Sequence, residues 1–164
     1  MIIKNQNFLI ADTPIEDIKE LIYERHETSE IKNRVVGFFT GTEPAFFRLI
    51  SGPSGCGKTL SVLSVLFNFI KEHPQFSKDF VYINGNMVRT PKAMYRYMAQ
   101  QLGVNTTDNT ISSFVENIEL KLNEAQRGKL IIIDEVDKIY KNSRESPKYL
   151  FIHSLACLAR LRPG

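Results

Sequence analysis

The sequence predicts an α/β fold of three layers, in which helices cover both faces of a parallel sheet. Short apolar stretches alternate with amphipathic helical stretches, the order that parallel strands joined by crossover helices require. Hydrophobic residues make up 43% of the 164 residues, which is enough to form the core of one domain. The three predicted strands are "AFFRLIS" at 45–51, "DFVYING" at 79–85 and Leu130–Asp134.

Residues that favour helix termini mark the helices between these strands. Thr13 and Pro14 begin the first helix, and Thr90 with Pro91 opens a later one that Gly103 ends. The predicted helices span residues 13–23, 28–39, 58–72, 90–103 and 112–126, with a last helix opened by Ser146 and Pro147. Their apolar residues recur at helical spacing and are expected to pack on the sheet.

Composition and charge exclude several classes of protein. The formal net charge of +3 alone is weak evidence for a nucleic-acid partner. The two cysteines, Cys56 and Cys157, do not form a disulfide framework, and the chain shows no secretory signal. No stretch approaches the roughly 20 apolar residues that a membrane-spanning helix needs. We therefore expect a protein of a reducing intracellular compartment with no membrane partner.

The stretch "GPSGCGKT" fits the pattern G-x-x-x-x-G-K-[ST] at every fixed position. Glycines let the backbone curl around a phosphate, so that consecutive N–H groups and the start of the next helix face the anion. Lys58 is expected to contact the β- and γ-phosphates of a nucleotide, and the Thr59 hydroxyl to bind Mg²⁺. The predicted nucleotide-binding residues are Gly52, Pro53, Ser54, Gly55, Cys56, Gly57, Lys58 and Thr59.

The stretch "KLIIIDEVDKI" at 129–139 supplies the acidic residues that such a loop requires. Asp134 ends an apolar strand, where a carboxylate can orient Mg²⁺ beside a nucleotide. Glu135 follows and is predicted to polarise the water that attacks the γ-phosphate. Asp134 and Glu135 are thus the candidate catalytic residues, and Asp134 with Thr59 the candidate metal ligands. Asp137 is predicted to be structural or to lie in the Mg²⁺ shell.

The remaining candidate residues are expected to have ordinary structural roles. His26, His73 and His153 lack metal-ligand spacing, and the aromatic residues at helical positions are expected to pack. Two basic stretches are candidate DNA contacts, although a charge run is usually a solvated face. One comprises Arg89, Lys92 and Arg96, and the other is residues 138–164, with six Lys or Arg against one Glu.

The phosphate loop together with "IIIDEVDKI" resembles the AAA+ ATPases. Within them the chain is similar to the replication-initiator branch, which comprises the largest origin recognition complex subunit, cell division control protein 6 and their archaeal counterpart. The branch favours the sequence Asp-Glu-Val-Asp or Asp-Glu-Leu-Asp, and this chain has the first of these at Asp134–Asp137. The stretch "YINGNMVRTPKAMYRYMAQQLG" resembles the segment of the branch in which a strand is followed by Asn-Gly and a helix. The branch also has two helices between its second and third strands, one of them used for DNA contact.

The resemblance implies an ATP-binding module within a larger assembly. Other initiator subunits would be its partners, DNA would be bound through the full-length protein, and the location would be the nucleus in a eukaryote or otherwise the cytoplasm. ATP hydrolysis in this family usually needs an arginine from a neighbouring subunit, so the isolated chain is expected to be weak or inactive. The box ahead of the loop, Glu24–Glu27, departs from the family's Arg-Glu order, which puts any adenine-side role there in doubt.

The expected organisation is a partial AAA+ domain over 1–164, with an N-terminal helical segment at 1–44 and a core at 45–164. In the family a fourth strand lies between the phosphate-loop strand and the Asp134 strand, and the sequence stops at "RLRPG", where that strand would begin. A truncated domain is therefore expected. If the chain folds alone, its first and third strands are expected to pair directly, as in kinase-like P-loop proteins.

Two other functions fit the same motifs. One is a P-loop kinase for a small acceptor, which would need an acceptor pocket and an arginine-bearing lid. The other is a signalling or scaffold ATPase that uses nucleotide as a switch.

Overall fold

The structure is a computed structural model that describes residues 26–106, 108–125, 127–141 and 155–158. The predicted helix at 13–23 and the start of the predicted last helix lie outside these residues. The described residues form two compact units. The first comprises those up to Glu43 together with Leu49–Ser77, and the second comprises Pro44–Arg48 together with those from Lys78 onward.

The first unit is helical. Helix α1 spans His26–Thr40 and helix α2 spans Lys58–Glu72, as the apolar periodicity predicts, and a short 3₁₀ helix follows at Pro74–Phe76. Aromatic rings join these three elements: the ring centroid of Phe39 lies 5.3 Å from that of Phe69 and 4.8 Å from that of Phe76. Such contacts add to the stability that apolar burial provides.

The second unit contains a parallel two-stranded sheet. Strand β1, Phe80–Asn84, pairs with strand β2, Leu130–Asp134, in a register that sets Asn84 opposite Asp134. Both predicted strands are therefore confirmed. Because the strands are parallel, their carboxyl ends lie at the same edge of the sheet, where α/β proteins usually bind ligands.

Three helices connect the two strands. They are α3 at Gly85–Val88, α4 at Pro91–Gln101 and α5 at Ile111–Glu124. Thr90 and Thr110 cap α4 and α5 through hydroxyl groups that accept from the N–H groups of Ala93 and Ser113, each at 3.2 Å. The two longer helices confirm the prediction, whereas the short helix α3 was not predicted. Among the described helices, none combines the length and apolar character that crossing a membrane requires.

The core of the second unit forms where β1 meets the helices. Val81 and Ile83 point into it from β1, Met94 and Tyr95 from α4, and Ile118 from α5. All five are almost fully buried. The other buried members of this cluster are Met98, Ala99, Phe114, Ile139, Leu155 and Leu158. Tyr95 is thus a packing residue, as its helical position predicts.

An ion pair joins the amino ends of the two strands. The ammonium group of Lys129, just before β2, contacts the carboxylate of Asp79, just before β1. The backbone N–H of Leu130 also donates to the carbonyl oxygen of Asp79 at 2.8 Å. Both side chains are largely buried, so this pair is more strongly held than a surface pair.

The predicted strand at 45–51 is not a strand in the structure, and this prediction is wrong. Residues 44–51 form neither helix nor strand, and the residues Phe47, Leu49 and Ile50 are 44%, 67% and 45% exposed. An apolar run becomes a strand only when a neighbouring backbone satisfies its N–H and C=O groups. Within the described residues β2 pairs with β1, so the expected pairing of the first and third strands is absent as well.

Candidate functional site

The loop Gly52–Thr59 leads directly into helix α2, which begins at Lys58. Gly55 and Gly57 have φ angles of 77° and 87°, a left-handed conformation that only glycine adopts without strain. The first N–H groups of α2 have no intrahelical acceptors and carry the positive end of the helix dipole. The local geometry is therefore that of an anion-binding loop, as the motif predicts.

Lys58 folds back over this loop. Its Nζ donates to the carbonyl oxygens of Gly52 and Pro53, at 2.9 and 2.8 Å, and lies 3.7 Å from Sγ of Cys56. The side chain therefore holds the ammonium group over the curled backbone. Phosphate oxygens are stronger partners for an ammonium group than neutral carbonyls are, because the hydrogen bonds are then between charged groups. Thr59 lies in the first turn of the same helix.

Asp134 ends strand β2 with both carboxylate oxygens in hydrogen bonds. The phenol of Tyr82 donates to Oδ2 at 2.9 Å, and the backbone N–H of Glu135 donates to Oδ1 at 2.9 Å. Tyr82 is paired with Ile132 in the ladder, so it lies on the same sheet face as Asp134, one step back along the strands. The carboxylate is thus oriented by groups from both strands.

The environment of Tyr82 keeps its phenol protonated. Burial raises the pKa of Tyr82 far above its usual value, and the hydrogen bond to Asp134 and the negative charges of Asp134 and Glu135 raise it further. At neutral pH the Tyr82 hydroxyl therefore donates a hydrogen bond, and the carboxylate of Asp134 accepts it.

Glu135 has a backbone conformation that is unusual for a side-chain-bearing residue, with φ at 51°. Its carbonyl oxygen accepts from the N–H of Lys138 at 2.9 Å, and its side chain is exposed. Gly85 packs against this turn: a Cβ at Gly85 would overlap the carbonyl group of Glu135 and lie 3.0 Å from the carbonyl oxygen of Asp134. Such backbone strain clusters at functional sites.

Asp137 has a partner of its own. It lies in the first turn of helix α6, Val136–Lys141, and accepts from Nζ of Lys141 at 3.1 Å. That hydrogen bond lowers the pKa of Asp137 below its usual value. Of the two roles predicted for Asp137, these contacts favour the structural one.

A family model described as an AAA domain matches residues 43–162, which is more than half of the chain. The chain belongs to the AAA-domain family. Comparison with curated proteins and comparison with solved structures each found no match. As a member of this family the chain is a nucleotide-binding ATPase module with an α/β P-loop fold. The family match includes both the phosphate loop and the acidic end of β2.

The residues present suit Mg²⁺ as the companion of the nucleotide. The Thr59 hydroxyl and the Asp134 carboxylate are oxygen ligands of the kind that Mg²⁺ prefers. Within the described residues no group of three or more His, Cys, Asp and Glu side chains could hold a metal by itself. A Mg²⁺ ion that accompanies a nucleotide is usually held by phosphate oxygens and water with few protein ligands.

The predicted site residues fall into the two compact units. The loop Gly52–Thr59 belongs to the first unit, whereas Asp134 and Glu135 belong to the second. The role of the two groups in one nucleotide site stays a prediction.

The motifs do not indicate two residues that lie beside Asp134 and Glu135, namely Tyr82 and Gly85. Tyr82 alternates with the core residues Val81 and Ile83, which could have indicated a polar group on the face that Asp134 shares. Gly85 follows Asn84 at the end of β1, and a glycine directly after a strand can indicate a close backbone approach.

Proposed function

We propose that this chain is the ATP-binding module of a DNA replication initiator of the origin-recognition or licensing type. It would bind Mg²⁺–ATP and contribute to ATP hydrolysis and to DNA binding within a larger assembly. The observation that carries this finer assignment is the pair of helices α4 and α5 between β1 and Asp134, joined to an exposed basic patch at the start of α4.

The basic patch consists of Arg89, Lys92 and Arg96. Arg89 caps the carboxyl end of helix α3, Lys92 lies in the first turn of α4, and Arg96 follows Lys92 by one helical turn. Lys92 and Arg96 therefore share a helix face. All three residues are exposed. Arg89 is held in place by a hydrogen bond of 2.9 Å from its Nε to the carbonyl oxygen of Asn86. Exposed cations on one helix face suit a phosphate backbone.

Each residue of the nucleotide site has a distinct role in this proposal. The N–H groups of the loop and Lys58 bind the β- and γ-phosphates of ATP. Thr59 and Asp134 would hold Mg²⁺, and the ion would neutralise charge on the phosphate oxygens. Glu135 accepts a proton from the attacking water as the bond from the water oxygen to the γ-phosphorus forms and the bond from the γ-phosphorus to the β,γ-bridging oxygen breaks. The products are ADP and inorganic phosphate.

Assembly is part of the proposal. The resemblance to the initiators implies that a neighbouring subunit supplies the arginine that stabilises charge in the transition state, an effect worth about 10³–10⁵ in rate in related enzymes. Turnover should therefore be low for the chain alone and rise in the complex with its partner subunits.

The test is the binding of labelled duplex DNA in the presence of Mg²⁺–ATP, measured by fluorescence anisotropy over a range of salt concentrations. Replacing Lys92 and Arg96 together by Gln should weaken binding. It should also reduce the slope of log affinity against log salt concentration by about two, because each of these cations neutralises about one phosphate charge. The matched control replaces Lys78 and Lys121 by Gln. These cations are exposed elsewhere in the same unit, and their replacement should leave the slope unchanged.

If the patch variant and the control bind DNA alike, the DNA-binding part of the proposal is wrong. If ATP binds but DNA does not, the chain remains a nucleotide-binding ATPase module without an initiator role. Transfer of phosphate from ATP to a small acceptor would instead favour the kinase alternative.

A further inference from the structure

We propose that Tyr82 is a positioning residue that fixes the Asp134 carboxylate for Mg²⁺ binding. The inference rests on the proposed nucleotide site and adds a residue that the phosphate-loop and acidic motifs do not contain. Its basis is the hydrogen bond of 2.9 Å from the Tyr82 hydroxyl to Oδ2 of Asp134, which crosses from β1 to β2.

The core does not require a tyrosine at this position. Along β1, Val81 and Ile83 are buried in the core cluster, whereas Tyr82 lies on the opposite face and is only partly buried. An apolar or β-branched residue would suit the strand equally well. The hydroxyl is therefore explained by its acceptor, the carboxylate of Asp134, rather than by packing.

The Tyr82 hydroxyl and the backbone donate to different oxygens of the Asp134 carboxylate. Oδ1 of Asp134 accepts from the N–H of the next residue, Glu135, a contact that the local backbone provides. The second oxygen, Oδ2, accepts from a residue far away in the sequence but adjacent in the sheet. Two donors from different directions orient the carboxylate group, and removing the Tyr82 hydroxyl takes away one of them.

Carboxylates that bind metal ions depend on such donors. Groups that hydrogen-bond a metal ligand fix its orientation, and their removal typically weakens metal affinity by about 10- to 100-fold. Tyr82 does not need to touch Mg²⁺ or ATP for this effect, because it acts through Asp134.

The test compares the Mg²⁺ dependence of ATP binding in Tyr82→Phe and in the wild-type chain. The binding of a fluorescent ATP analogue is measured during a titration with MgCl₂, and again in EDTA. We expect Tyr82→Phe to raise the Mg²⁺ concentration at half-maximal effect by about tenfold, while affinity in EDTA stays within about twofold. Tyr97→Phe is the matched control: it removes a phenol hydroxyl from helix α4 in the same unit and should leave the Mg²⁺ midpoint unchanged.

A second comparison separates positioning from a general effect on folding. In the Asp134→Asn background, Tyr82→Phe should cause no further shift in the Mg²⁺ midpoint, because the group that it positions has gone. The inference is overturned if Tyr82→Phe has the wild-type midpoint, or if it shifts the midpoint equally with and without Asp134.

Failure of the nucleotide site itself would look different. If the wild-type chain bound no ATP, or bound it with no dependence on Mg²⁺ and no effect of Asp134→Asn, the proposed function would be wrong and this inference with it. A Mg²⁺-dependent wild type that responds to Asp134→Asn but not to Tyr82→Phe would overturn the inference alone.

Discussion

Gly85 lies against the backbone of Glu135 so closely that any larger residue would overlap the carbonyl group of Glu135. The two residues follow the paired strand ends Asn84 and Asp134, so the contact joins the turns that leave β1 and β2. It lies beside the strained backbone of Glu135, whose φ angle is 51°. The position of the candidate general base therefore depends on a glycine in the neighbouring strand connection.

Replacing Gly85 by Ala should destabilise the chain, because the new methyl group must displace backbone rather than a flexible side chain. We expect a loss of about 1–3 kcal/mol in the free energy of unfolding, the usual cost of overpacking. Urea denaturation measures this loss. Asn86→Ala, at an exposed position in the same short helix, is the control and should change stability little. Equal stability of the two variants would show that the turn is not tightly packed.

The raised pKa of Tyr82 predicts that its phenol loses its proton at a higher pH than an ordinary tyrosine does. In the unfolded chain the pKa of tyrosine is about 10, and in the folded chain burial and Asp134 raise it. Burial of the protonated phenol and its hydrogen bond to Asp134 therefore make the folded state less stable as the pH rises from about 10 through the folded pKa. Tyrosinate absorbance should show that Tyr82→Phe removes one component that titrates above the usual pKa of tyrosine. If the component lost in Tyr82→Phe titrated with an ordinary pKa, this prediction would be wrong.

The ion pair of Asp79 and Lys129 should stabilise the amino ends of the strands. Asp79→Ala leaves a largely buried ammonium group without its carboxylate, and we expect a loss of about 1–3 kcal/mol in unfolding free energy. A double-mutant cycle with Lys129→Ala, measured by denaturation, gives the coupling between the two residues. The exposed pair of Asp137 and Lys141 is the control and should show weaker coupling. Equal coupling for both pairs would exclude a special role for the buried one.

Glu135→Gln should separate ATP binding from hydrolysis. Glutamine keeps the size of the side chain but cannot accept a proton, so turnover in the assembled complex should fall by about a hundredfold or more. ATP affinity should stay near that of the wild type. Phosphate release measures turnover, with Glu116→Gln, an exposed change on α5, as the control. Unchanged turnover in Glu135→Gln would exclude Glu135 as the general base.

The parts of the fold that depend on local sequence could be predicted from the sequence. Helix α2 follows from apolar residues at helical spacing, and strand β2 from an apolar run that ends at Asp134. The phosphate loop follows from the spacing of Gly52, Gly57 and Lys58, because its conformation is set by its own backbone.

The remaining features depend on partners distant in the sequence. Residues 45–51 have the composition of a strand. A strand forms only beside a second strand, and the sequence of residues 45–51 does not indicate which segment would pair with it. Likewise, the contact of Tyr82 with Asp134 depends on the register between β1 and β2, which only the folded structure defines.

The most direct test of the central claim is Mg²⁺–ATP binding by the wild-type chain and by Lys58→Ala, measured by calorimetry. Lys71→Ala, an exposed lysine in the last turn of the same helix, is the control. We predict that the wild type and Lys71→Ala bind Mg²⁺–ATP alike and that Lys58→Ala loses affinity by about a hundredfold or more. Equal ATP affinity for Lys58→Ala and the wild type would contradict the nucleotide site.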